Sequence, residues 1–270
     1  MTTTDWSEAC DCHVHVYEPG YPLAPTATFQ PPHAPASAYR EVQRALGIGR
    51  VVVVQPTGYG FDNRCTLAAI AELGAGARGV AVIRPDTPEA ELHRLHAAGI
   101  RGVRYMMLPG GVLPWDGLEE TAARIAPLGW HINLQLDGRT LPEHEQRLRQ
   151  LPGRLVIDHV AKFLGPVTVA DEAFASLRRL LDAGHCWIKL SAPYESSRSG
   201  PPHYADVAAL VRELARAHPE RGLWASNWPH PNVLPRPSDG DLLEWARGLM
   251  GAESAQRRIL VDNPAALYGF

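Results

Sequence analysis

Short apolar, β-branched runs alternate with amphipathic helical patterns from one end of the chain to the other, and this alternation constrains the fold more than any other feature. The runs fall at 9–16, 50–55, 77–83, 100–106, 131–136, 154–159, 186–191 and 222–228. Between them, residues 37–46, 62–73, 88–98, 118–128, 142–151, 171–183, 204–218 and 240–249 carry apolar side chains at three- and four-residue steps. Strands that are apolar at nearly every position are buried on both faces, which is the signature of a parallel sheet covered by helices. Eight such units predict an α/β fold, a single (β/α)₈ TIM-type barrel occupying 1–270 as one domain. An open doubly wound sheet is the alternative. It is disfavoured because no G-x-G-x-x-G follows the first strand.

The segments between these units add detail. Asp86-Thr87-Pro88-Glu89 reads as a helix start with a first-turn proline. The proline-rich stretch 17–36 reads as a long loop after the first strand. A short helix is predicted at 252–260, followed by a tail from Asn263 to Phe270.

Composition excludes several classes of function. The 270 residues are 45% hydrophobic and 20% charged, ordinary for a folded domain, with a formal net charge of −3. No basic excess or stripe is present to hold nucleic acid phosphates, so no nucleic-acid partner is expected. No apolar run of about 18 residues occurs, so no membrane span is expected. The polar N-terminus lacks a signal core, which makes the cytoplasm the expected compartment. Cys10, Cys12, Cys65 and Cys186 show no C-x-x-C spacing and read as buried thiols. Cys10 and Cys12, two apart on a strand, are poorly placed to bridge.

In an eight-stranded α/β barrel, chemistry sits where the strands end. The first strand ends in Asp11-Cys12-His13-Val14-His15. Residues two apart on a strand point the same way, so His13 and His15 face one side. Two imidazoles in a buried strand need partners, which favours a functional pair over two core histidines. The sixth strand ends in Ile157-Asp158-His159. The eighth runs Ser226-Asn227-Trp228-Pro229-His230-Pro231. Lys189, inside the seventh strand, reads as a paired structural lysine in preference to a Schiff-base nucleophile. No P-loop or G-x-S-x-G is present.

The H-x-H of the first strand, the His ending a middle strand and the Trp-Pro-His-Pro after the eighth resemble the amidohydrolase superfamily. Within it, the chain is most similar to a metal-independent branch acting on lactones of the 2-pyrone-4,6-dicarboxylate and D-galactarolactone types. The likeness runs nearly end to end. It includes Val54-Gln55-Pro56 with Gly60-Phe61-Asp62-Asn63, Gly99 to Arg104, Gly129-Trp130-His131, Gly200-Pro201-Pro202, and Asn263-Pro264 with Leu267-Tyr268.

The resemblance implies a site of His13, His15, His159 and Asn227. The three histidines would donate hydrogen bonds to a carbonyl oxygen as it gains charge. Arg104 would be the carboxylate clamp, with a rim salt bridge as its bland alternative; Gln55, Asn63, Gln135, Ser191 and Tyr194 read as substrate-binding only through their shared place at strand ends, each alone being more often structural. At the place of Asn227 the family carries an Asp that serves as general base. An amide cannot take up that proton, although it can orient a nucleophile. It is also a poor metal ligand. No metal and no other cofactor is therefore expected, although His13, His15 and His159 could hold zinc on paper.

Two enzymatic readings follow. In the first choice, a hydroxyl of the substrate attacks its own lactone carbonyl, isomerising a sugar-dicarboxylate lactone; intramolecular attack gains an effective molarity of roughly 10⁵ M or more. In the alternative, water attacks and the lactone is hydrolysed. A barrel that binds a ligand without turning it over is the third reading. The only partner expected is the small lactone; nothing in the sequence speaks to oligomeric state.

Overall fold

The computed structural model describes residues 6–270. Its centre is one eight-stranded parallel sheet in sequence order. The strands are β1 (Cys10–Val14), β2 (Arg50–Val54), β3 (Ala77–Ala81), β4 (Ile100–Met106), β5 (His131–Gln135), β6 (Arg154–Ile157), β7 (Cys186–Ser191) and β8 (Gly222–Ala225). Around it lie α1 (Ala36–Leu46), α2 (Arg64–Leu73), α3 (Glu89–Ala97), α4 (Leu118–Ile125), α5 (Leu141–Arg149), α6 (Glu172–Asp182), α7 (Ala205–Ala217) and α8 (Asp239–Met250). Two main-chain hydrogen bonds join the sheet's first and last strands just beyond β8. Asn227 N donates to His13 O at 3.0 Å, and His15 N donates to Trp228 O at 2.8 Å. The sheet is thus a closed barrel, and no helix of the described residues is long and apolar enough to cross a membrane.

Packing follows the two periodicities. The outer layer buries helix faces such as Phe174, Leu177, Leu180 and Leu181 of α6 against the sheet. Each such side chain contributes about 1.5–3 kcal/mol of burial. The barrel interior holds a separate cluster in which Cys10, Cys12, Val52, Val54, Val80, Val156, Leu223 and Ala225 meet. All four cysteines are buried and free.

The far end of this interior is closed by the chain's own C-terminus. After the short α9 (Glu253–Arg257) and one wide turn, α10 (Asn263–Tyr268) brings Leu267 and Tyr268 into the interior cluster. The segment read from sequence as a tail is therefore a helix and a plug. Its first turn is anchored by Asn263, whose Nδ2 donates to the carbonyls of Pro219 and Gly222 at 2.8 and 2.7 Å. Pro88 also differs from its expected place. It stands just before α3 as an extended capping residue, and neither Asp86 nor Thr87 caps the helix with its side chain.

Two local features position the mouth of the barrel. The first is a bulge in β1. Asp11 pairs with Val51, but Val14 pairs with Val53, so three steps along β1 match two along β2. Without that extra residue, His13 and His15 would point away from the side taken by Cys10 and Cys12. The bulge re-aims them into the same interior. The second is the loop 17–34, closed at its base by paired main-chain bonds between Tyr17 and Ala34, each 2.9 Å.

Candidate active site

Asp11 forms the base of the site. Its carboxylate accepts from the main-chain N–H of His13 at 3.3 Å and of Ser226 at 2.9 Å, and from Tyr39 Oη at 3.0 Å. It thereby ties β1 to the end of β8. Burial raises its pKa to about 6 against the lowering effect of these donors.

Above it the three histidines meet. The His13 ring centroid is 4.7 Å from that of His15 and 4.7 Å from that of His159. One acceptor assigns the tautomers of the first pair. His15 Nδ1 lies 2.8 Å from Val54 O, and a carbonyl can only accept, so Nδ1 carries the proton. His15 is held neutral, its pKa pushed well down by burial and then by the Arg104 charge. Its Nε2 is therefore bare and accepts from His13 Nε2–H at 3.2 Å. His13 Nδ1 is then bare in turn and accepts from the Lys189 ammonium at 3.0 Å. Burial and this ammonium together hold His13 neutral. The His13 ring is fully buried beneath the other two, with both nitrogens committed. The hydrogen bonds of the pair thus run inward, toward Lys189 and Val54, and not toward a common carbonyl as the sequence reading expected.

His159 is placed differently. Its Nδ1 is 2.9 Å from Ser191 Oγ, and burial lowers its pKa to about 4, so it too is a neutral imidazole near pH 7. It opens a run of left-handed backbone, with φ of 51°, 52°, 60° and 44° at His159, Val160, Ala161 and Lys162. Such a conformation costs about 1–2 kcal/mol per L-residue. The run turns the chain sharply after β6 and brings both His159 and Lys162 to the mouth of the barrel. Asn227 is also left-handed, at φ 63°, a conformation that Asn and Asp tolerate best.

Lys189 is indeed paired. Its ammonium contacts Asp158 Oδ1 at 2.9 Å and Asn133 Oδ1 at 2.7 Å, and Asn133 Nδ2 returns to Asp158 Oδ2 at 2.8 Å. All three side chains are fully buried. The Lys189 ammonium holds the Asp158 carboxyl well below the usual range despite its burial.

This arrangement tests the site against a metal. His13, Asp158 and His159 offer ligand atoms close enough together to share one ion. His13 Nδ1 and Asp158 Oδ1 already contact the Lys189 ammonium. A divalent cation there would stand against a buried positive charge, so the donor set does not fit one.

The cavity at the mouth is lined by His15, His159, Arg104, Gln135 and Asn227, together with Tyr17, Lys162 and Glu195. Arg104 donates from Nη1 to Gln55 O at 2.8 Å and from Nη2 to Gln135 Oε1 at 2.6 Å. Among the described residues it has no carboxylate partner, so the rim salt bridge does not form. Burial lowers its pKa from the ordinary arginine value.

Four residues read as substrate-binding are committed elsewhere. Gln55 follows the inward-facing Val54, so it points outward to the helix layer. There it donates to Gly60 O and Asp62 O at 3.1 and 2.9 Å and accepts from Thr66 at 2.6 Å. Asn63 pins its loop to β3 through the N–H and C=O of Val82, at 2.9 and 2.7 Å. Ser191 orients His159. Tyr194 holds His230 Nδ1 at 2.8 Å and Asn227 Nδ2 at 3.0 Å. These four support the site from behind its wall.

The sequence reading missed Lys162 and Glu195, which form an ion pair at 2.6 Å on the cavity wall. Glu195 lies just past the end of β7, while the nearby Arg198 lines a separate surface cleft with Asp206. Only the end of β7 marked that segment as relevant.

The amidohydrolase family profile matches residues 10–270. The chain belongs to the amidohydrolase family. It is an enzyme of that family by its relatives as well. D-galactarolactone isomerase of Agrobacterium fabrum (strain C58) is 39% identical over 96% of this chain and 90% of its own length. A 2-pyrone-4,6-dicarboxylate hydrolase of Comamonas testosteroni is 37% identical, over 96% of this chain and 90% of that one. An apo crystal structure of an Agrobacterium tumefaciens protein superposes with a TM-score of 0.93 at 39% identity, covering 97% of this chain and 96% of the other. The barrel and its eight parallel strands are the fold of these amidohydrolase relatives.

Proposed function

We propose that this enzyme isomerises a carboxylated sugar lactone by moving the acyl group from one hydroxyl of the substrate to another, without a metal. The observation that carries this reading is the state of Asn227. Its Nδ2 donates to Tyr194 Oη at 3.0 Å and to Glu195 Oε1 at 3.2 Å, so the amide offers the cavity its carbonyl oxygen. That oxygen can accept a hydrogen bond from an attacking hydroxyl and align it, but it cannot strip a proton from water.

Arg104, a buried cation that pairs directly with no carboxylate among the described residues, takes the substrate carboxylate. A hydroxyl aligned by Asn227 attacks the lactone carbonyl. The new C–O bond forms as the old ring C–O bond breaks, and the hydroxyl proton ends on the released oxygen. His159, neutral and fixed through Nδ1 to Ser191, lines the cavity and can pass this proton from one oxygen to the other through its second nitrogen, while both nitrogens of His15 are already paired. Intramolecular attack needs no strong base, and a base able to activate water would open the product ring. The ammonium of Lys189 sets the tautomers of His13 and His15 from below, which leaves no step that calls for a metal.

The test is NMR of galactarolactones incubated with chelator-treated protein. A 1,5-to-1,4 ring shift is expected. Ring opening above background would replace this reading with hydrolysis, and binding without turnover would replace it with a ligand-binding barrel. His13→Ala and His159→Ala are expected to abolish turnover with the fold kept. Full activity in either would remove the histidines from the mechanism.

A further inference from the structure

Glu195 is the cavity carboxylate that the function above uses only to orient the Asn227 amide. It follows β7 through a left-handed turn at Ala192 (φ 48°) and a single helical turn, Pro193–Glu195, which aims it at the mouth of the barrel. Its side chain is 15% exposed, and that exposure faces the cavity. Lys162 holds one oxygen at 2.6 Å, and Asn227 Nδ2 donates to the other at 3.2 Å. A carboxylate has about four acceptor positions, so two contacts leave capacity for a ligand.

The charges on the wall also add up to a specific demand. Arg104 and Lys162 bring two positive charges, Glu195 brings one negative charge, and the facing imidazoles are neutral. One unit of positive charge remains, on Arg104. The cavity is matched to a ligand with a single carboxylate. At the Glu195 side it presents an ionised acceptor suited to hydroxyl groups.

We propose that Glu195 is a specificity-determining residue: it accepts a hydrogen bond from a hydroxyl of a polyhydroxylated lactone and repels the second carboxylate of a flat dicarboxylated one. This rests on the reading that Arg104 takes the substrate carboxylate. Hydrogen bonds to an ionised acceptor are about twice as strong as neutral ones, and a second anion beside a half-dry carboxylate meets repulsion that solvent screens poorly. A site built to bind hydroxyl groups discriminates sharply against analogues lacking them.

The experiment compares wild type and Glu195→Gln on two probes, a galactarolactone and 2-pyrone-4,6-dicarboxylate. Binding of each is measured by calorimetry, and turnover is followed alongside. The variant is expected to weaken the hydroxylated lactone about 10- to 100-fold and to tighten the dicarboxylate by about 10-fold, the range of a charge-assisted contact. Opposite movement of the two probes is the signature. Parallel weakening would mean that Glu195 only supports the wall, and no change in either would mean that it does not face the ligand; both results overturn the proposal. If wild type binds the hydroxylated lactone without turning it over, the isomerase reading fails, while the two affinities still judge Glu195. Should Glu195→Gln lose its fold, Glu195→Asp is used instead. It keeps the charge and withdraws the oxygens, so it should weaken the hydroxylated lactone and leave the dicarboxylate excluded. Tighter dicarboxylate binding by that variant would refute the charge argument.

Discussion

Replacing Lys189 with methionine removes one positive charge from the fully buried centre of the barrel and leaves its volume nearly unchanged. The Asp158 carboxylate, 2.9 Å away, then has no cation in contact with it. At an effective dielectric of about 20, that separation corresponds to about 6 kcal/mol of attraction, and breaking buried pairs from one side typically costs about 3–5 kcal/mol. A loss of about 3–5 kcal/mol at pH 7.5 is therefore expected. The penalty must also depend on pH. In the variant a proton on Asp158 or on His13 Nδ1 can replace the missing ammonium, so the folded state binds a proton that the unfolded chain has released. Stability then falls as pH rises, by about 1.4 kcal/mol per unit over the window between unfolded and folded pKa values. In the wild type, Asp158 is held below its unfolded value, so its contribution is complete above about pH 4 and fades only as pH falls further. Urea denaturation of both proteins between pH 5 and 8, followed by tryptophan fluorescence, reads the difference directly. The gap should narrow steadily toward pH 5. A gap below about 1 kcal/mol at pH 7.5, or one that stays constant with pH, would refute the idea that Lys189 is the counter-charge organising this site.

The other predictions concern the mouth of the barrel and its foundation. Asn227→Asp keeps the left-handed backbone but places a carboxylate against Glu195 Oε1, so the two acids should share a proton and one should titrate above the normal carboxylate range. NMR should show a larger fraction of ring-opened product, and an unchanged product ratio would count against the role given to the amide. Ser191→Ala removes the hydroxyl that orients His159 at 2.9 Å; kcat should drop about 10-fold with thermal stability nearly kept, and an unaltered kcat would deny the orienting role. Asp11 has a folded pKa of about 6, above its unfolded value, so the folded state binds more protons between roughly pH 4 and 6 and this group adds stability as pH falls through that window. Asp11→Asn should lose that gain, so its deficit against wild type should grow from pH 7 to pH 4.5 in urea titrations; a deficit that shrinks would reverse the assigned sign.

The legible parts of the site were those governed by one strand and its period. His15, His159, Arg104, Gln135 and Asn227 line the mouth and His13 lies buried beneath them, each at or near the end of its strand. Gln55 shows the limit of that logic. It also ends a strand, but one residue past the inward Val54, and parity sends it to the helix layer. The β1 bulge shows the converse: strict alternation would separate the histidines from the cysteine side of the strand, and one extra residue unites them. Lys162 and Glu195 belong to loops, where no period says which way a side chain turns. Their placement depends on left-handed turns at non-glycine residues, which no sequence pattern marks.

The alternation of apolar strands and amphipathic helices was enough by itself to determine a closed parallel barrel, its order and the end at which chemistry gathers. Burial of each element depends on side chains three, four or two positions apart, and those spacings are written locally. The charge state of the site was decided only in three dimensions. Lys189 meets His13 across 176 positions, and Asp11 receives Ser226 across 215. A proton on an imidazole, or the pairing of a buried cation, depends on the field of groups brought together from distant strands. That field exists only once the barrel has closed and shut out water.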